Sequence, residues 1–128
     1  ADRMNAEGLP GVRFGPTRFT PQASKHRGIP CSGIVATVTD REAFKPLLTG
    51  IALLVTLREL YPDSLAIRRA SLNRLLGQAG AYDAIHRGET AAAIESSWQD
   101  GLAAYRDSLA RFRHYPLRWR IPQNRMAC

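Results

Sequence analysis

Nowhere does this chain approach the roughly 18 uninterrupted apolar residues that a membrane-spanning helix requires. Its longest such run, Gly50 to Val55, is short, so no helical passage through a bilayer and no membrane partner are expected. Cysteine is scarce as well. Cys31 and Cys128 form no metal-ligand spacing and are too few for a disulfide framework. Cys31, beside an apolar run, is expected to be a buried free thiol, and Cys128 an exposed one; sequence leaves open whether they pair. His86 and His114 have no partner at ligand spacing either, so no metal site and no cofactor are expected. The first residues, Ala1 to Glu7, show neither an initiator Met nor an apolar secretory core, so an export signal is expected upstream or already removed. Internal repeats and low-complexity segments are also missing.

What is present fits one globular domain: 128 residues, 45% hydrophobic and 23% charged. The net charge of +7 invites a nucleic-acid reading, but its distribution weakens it. Residues 41 to 105 carry 7 basic and 7 acidic groups, whereas residues 106 to 128 carry 6 and 1. The excess therefore belongs mainly to Arg111, Arg113, Arg118, Arg120 and Arg125, a basic end rather than a basic face.

Residues 1 to 7 read as the last turns of a helix, broken by Gly8-Leu9-Pro10-Gly11. Val12 to Thr20, rich in β-branched and aromatic residues, predicts a strand or two short extended pieces interrupted by Gly15-Pro16. Pro21 to Pro30 predicts an irregular surface loop, and Cys31 to Thr39 a second strand. Thr39-Asp40-Arg41-Glu42 has the form of a capping box. It predicts a helix from about Arg41 to Leu60, its regular part beginning nearer Lys45 if Pro46 lies in the first turn. That helix is apolar over much of its circumference, which predicts burial against the sheet. Short helices ending at Gly77 and Gly88 follow. Thr90 then caps a long helix whose Ile94, Trp98, Leu102, Tyr105, Leu109 and Phe112 recur as one apolar stripe, with Trp98 packed inside. Pro116 and Pro122 prevent its continuation. The expected fold is α+β: a small two-layer domain, a short sheet packed against a long buried helix and a long amphipathic C-terminal helix.

Many small motifs recur in order along nearly the whole chain: Phe19-Thr20-Pro21, Lys25-His26, Gly28 to Gly33, Val38 to Arg41, Phe44-Lys45-Pro46, Leu60-Tyr61-Pro62, Leu72 to Gly77, Gly88, Trp98 and Arg111 to Tyr115. Together they resemble the C-terminal region of the NamZ-like exo-β-N-acetylmuramidases, with Leu72-Asn73 standing where that family tends to have an aromatic residue followed by Asp. The resemblance implies a two-domain glycoside hydrolase that removes N-acetylmuramic acid from non-reducing ends of peptidoglycan fragments. Its catalytic Glu would lie in a Rossmann-like N-terminal domain absent from these residues. It further implies a C-terminal accessory domain over residues 1 to 115, an extended basic tail over 116 to 128, and a secreted or periplasmic location.

Hydrolysis of a glycosidic bond ordinarily needs two flanking carboxyl groups, and no such pair stands out; capping explains both Asp40 and Glu42. No catalytic residue is therefore expected in this chain, and no turnover from it alone. The loop Lys25-His26-Arg27 either carries ordinary solvated charges or recognises the lactyl carboxylate of muramic acid. Under the second reading the substrate-binding set is Lys25, His26, Arg13, Arg113 and Tyr115, and the partners are the catalytic domain and a muramic-acid-containing glycan. The other function class left open is a stand-alone basic module that holds nucleic acid or an anionic cell-wall polymer through its Arg- and Trp-bearing end.

Overall fold

The computed structural model describes residues 1–112, among which two strands and six helices follow in the order α1 (Asp2–Ala6), β1 (Val12–Phe19), β2 (Cys31–Val38), α2 (Pro46–Leu60), α3 (Arg69–Leu76), α4 (Ala81–His86), α5 (Ala91–Ser96) and α6 (Gln99–Ala110). The fold is α+β, as the hydrophobic pattern predicts. The chain divides into two compact units, residues 1–96 and 97–128.

In the first unit β1 and β2 form an antiparallel ribbon with Val12 opposite Val38 and Phe19 opposite Cys31. Its outer edge at β1 is closed by a side chain. Asn5 Nδ2 donates to the Phe14 carbonyl at 2.8 Å and the Phe14 N–H donates to Asn5 Oδ1 at 2.9 Å. The backbone groups of Phe14 therefore point away from β2. Antiparallel ladders alternate, so those of Val12, Pro16 and Arg18 do the same, as do those of their partners Val38, Ile34 and Ser32 on the opposite edge. Pro16 consequently gives up no ladder bond, and β1 runs unbroken through Gly15-Pro16 where the sequence left an interruption open. The alternation continues past the base of the ribbon, where Thr39 N–H donates to the Gly11 carbonyl at 2.9 Å. Gly11 lies at φ +68, and a Cβ there would sit 2.4 Å from the Asp40 carbonyl oxygen, so the crossing requires glycine.

The long helix begins at Pro46, with Lys45 as its N-cap, so of the two starts the sequence allowed the later one holds and Arg41 does not. A helix started at Arg41 would put the proline ring against the carbonyl four residues earlier, and Lys45 instead takes the extended conformation that precedes proline. Nor is Thr39-Asp40-Arg41-Glu42 a capping box. Asp40 Oδ1 accepts from the N–H groups of Glu42 and Ala43 at 2.9 and 3.2 Å, closing a turn of its own before the helix.

α2 buries Leu48, Ile51, Ala52 and Thr56 on one stripe, and packs on α1, α4 and α5. The sheet meets α1 through β1. The helix thus takes its cover from other helices. Ile51, Ile85 and Ile94, from α2, α4 and α5, are the most completely buried side chains, each contributing about 2 kcal/mol of transfer free energy. Helices of five or six residues, such as α1, α4 and α5, lie below the length that is stable in water and depend on this packing. α3 ends at Gly77 and α4 just before Gly88, both at positive φ, where the sequence places the stops.

Thr90 begins a helix as expected, its hydroxyl accepting from Ala93 N–H at 3.2 Å. The helix stops at Ser96, however, and a second one starts at Gln99. Serine hydroxyls compete for backbone groups inside helices, and Trp98 adopts φ −109, ψ 1, outside the helical well. A two-residue break leaves the spacing of apolar residues almost unchanged, so periodicity conceals it. Trp98 is half-buried rather than fully enclosed, and α6 buries none of its residues. Cys31 is a free thiol, but only half-buried, its Sγ 3.3 Å from the Ile29 carbonyl.

Candidate functional site

The loop between β1 and β2 closes on itself through two backbone bonds, Gly28 N–H to the Pro21 carbonyl at 2.9 Å and Ile29 N–H to the His26 carbonyl at 3.0 Å. Ser24 and His26 both adopt left-handed φ, +64 and +58, which non-glycine residues rarely do. Lys25, His26 and Arg27 are exposed on this loop. Arg18, the next-to-last residue of β1, comes from the adjoining end of the ribbon. An open recess of about 410 Å3 is bounded there by Thr17, Arg18, Ser32 and Gly33. Among the described residues no carboxylate pairs with Arg18, Lys25 or Arg27.

Four other cations are paired with carboxylates among the described residues. Arg3 bridges to Glu59 at 2.8 Å, Lys45 to Glu95 at 3.4 Å and Arg87 to Glu89 at 2.6 Å, and Arg69 pairs with Asp83. The hydrogen bond and charge of Glu59 raise the Arg3 guanidinium above its usual range. These carboxylates are held by cations, and Asp40 by backbone N–H groups; Arg18, Lys25 and Arg27, like Arg13, Arg41, Arg68 and Arg74, have no carboxylate partner among the described residues.

Of the residues expected to contact substrate, Lys25 and His26 come together on the loop. Arg13 does not join them: it lies near the other end of the ribbon, about 20 Å away at strand spacing, beside a second recess of about 380 Å3 with Asn5 and Thr39. Arg113 and Tyr115 lie outside the described residues, as does Cys128. Sequence reasoning passed over Arg18, which adjoins the loop because β1 runs unbroken to Phe19. His86 stacks on Tyr82 with ring centroids 3.9 Å apart, Arg69 covering the same tyrosine at 4.9 Å, a surface cluster separate in sequence from the loop.

The family described as exo-beta-N-acetylmuramidase NamZ, C-terminal, matches residues 1–115. The chain belongs to this family. Among NamZ-type proteins, the peptidoglycan beta-N-acetylmuramidase NamZ of Bacillus subtilis (strain 168) is 30% identical over 115 residues, 89% of this chain. The fold recurs, at a TM-score of 0.78 and 18% identity, over 91% of the chain in the crystal structure of a DUF1343 family protein from Bacteroides fragilis NCTC 9343. The chain spans 28% of the length of the first and 32% of the second, so in both the matched region accompanies a much larger remainder.

Proposed function

We propose that this domain completes the substrate cleft of an exo-β-N-acetylmuramidase whose catalytic carboxylates lie in a separate, larger N-terminal domain. The observation that carries the reading is the match to the NamZ C-terminal family over residues 1–115, in a chain covering 28% of the Bacillus subtilis relative. The described chemistry agrees with it. Arg18, Lys25 and Arg27 offer unpaired positive charge at one end of the ribbon, suited to the lactyl carboxylate that distinguishes N-acetylmuramic acid from a neutral sugar. The reading includes a substrate drawn from peptidoglycan, a catalytic domain of Rossmann type and a secreted or periplasmic location.

The test uses a chromogenic β-glycoside of N-acetylmuramic acid and a two-domain protein containing these residues. Removing one charge-assisted hydrogen bond is worth about 1.5 to 3 kcal/mol. Lys25→Ala and Arg27→Ala are therefore expected to raise KM by about tenfold or more, with a smaller effect on kcat. Unchanged KM in both variants, and in Arg18→Ala, rules out the loop as the site of carboxylate recognition.

A further inference from the structure

The two edges of the β ribbon differ in a way that its own domain does not explain. On β1 the outward-pointing backbone groups are dealt with: Asn5 occupies those of Phe14, Pro16 has no donor to offer, and Arg13 and Arg18 place charge along the strand. Proline and charge are the usual means by which an edge is kept from pairing. On β2, Cys31-Ser32-Gly33-Ile34-Val35-Ala36-Thr37-Val38 contains neither a charged residue nor a proline. The register and the Asn5 bonds fix which of its groups point outward: those of Ser32, Ile34, Ala36 and Val38. Among the described residues none of these four bonds to anything beyond the ribbon. Midway along that edge the apolar side chains of Ile34 and Val35 are open, one on each face, Ile34 being 38% exposed and Val35 48%.

A two-stranded ribbon is marginal in water without a third strand or a covering layer. Here only Val12 and Phe14, near its base, are buried. The remainder projects with an unprotected edge, and in the relatives most of the chain lies outside this domain.

We infer that the free edge of β2 is a docking edge, on which an extended segment of the larger N-terminal domain pairs through Ser32, Ile34 and Ala36 and covers Ile34 and Val35 with apolar side chains. This rests on the two-domain reading proposed above and adds to it the surface and the mode of attachment, a strand added to an open sheet. A segment so placed would run antiparallel or parallel along an uncharged strand, taking specificity from alternate side chains and affinity from backbone hydrogen bonds. It would also fix the ribbon, and with it the loop bearing Lys25 and His26, as one extended sheet.

Amide hydrogen exchange resolved by residue tests this in the 128-residue chain alone and in the same chain within the two-domain protein. In the chain alone, Ser32, Ile34 and Ala36 are expected to exchange freely, while Gly33, Val35 and Thr37, whose N–H groups face β1, are protected. In the two-domain protein the first three are expected to slow by about tenfold or more. Equal rates in the two forms, in a protein that still releases N-acetylmuramic acid, overturn the docking edge and leave the proposed function standing. Protection without such release retains the edge and overturns the function. Protection of the chain alone that grows with its concentration, together with a dimer in sedimentation, overturns the inference in favour of a second copy.

Discussion

At the scale of single residues, two residues near the base of the ribbon have large expected effects for opposite reasons. Asn5 matters through what it supplies: its amide gives Phe14 both a donor and an acceptor where the strand would otherwise end in unpaired backbone. Asn5→Ala is expected to cost about 1 to 3 kcal/mol, read as a lower urea midpoint with an unchanged m value. Asn5→Asp keeps the acceptor for Phe14 N–H but turns a carboxylate oxygen towards the Phe14 carbonyl, so it should recover only part of the loss. Gly11 matters through what it lacks. A methyl group there meets the Asp40 carbonyl at 2.4 Å in a conformation L side chains avoid, so Gly11→Ala should destabilise by more than the roughly 1 kcal/mol that left-handed strain alone brings. A Gly11→Ala variant with a wild-type melting temperature would contradict that crossing. Neither role shows in the sequence around it, because each partner is contributed by backbone distant along the chain.

At the scale of elements, the positions of the helices follow from local rules and their limits from neighbours. Pro46 sets where α2 can begin, and the competing signal at Thr39 to Glu42 is satisfied by Asp40 in a turn instead. The apolar stripe from Ile94 to Phe112 reads as one helix because a break of two residues barely disturbs its spacing, yet Ser97 and Trp98 separate α5 from α6. Thr90 is the clearest local determinant that persists, its hydroxyl holding the Ala93 N–H. Thr90→Ala is expected to cost about 1 kcal/mol, lowering the melting temperature of the domain by several degrees in calorimetry, whereas Thr90→Ser should keep most of the stability.

At the scale of the whole molecule, the ribbon carries its cationic loop at the end farthest from its anchored base. Val12 and Phe14 hold the base, while Lys25, His26 and Arg27 ride on a loop closed by its own backbone bonds. Glu59, Glu95, Asp83 and Glu89 each hold a cation that is not on the loop. Under the proposed function the 128-residue chain alone is expected to release no N-acetylmuramic acid from a synthetic glycoside, even at high concentration. Detectable release by the purified chain, abolished by substitution of one of its own carboxylates, would move the chemistry into this domain.

The α+β class, the two strands, the stops at Gly77 and Gly88 and the family itself were legible in the residues, because alternation, glycine at helix ends and ordered short motifs depend on neighbours a few positions apart. Tertiary structure alone decided that Asn5 closes one edge of the ribbon, that Gly11 meets the Asp40 backbone, and that α2 packs on helices. Those outcomes depend on strand register and on which surfaces meet, interactions between groups far apart in the chain that no local pattern encodes.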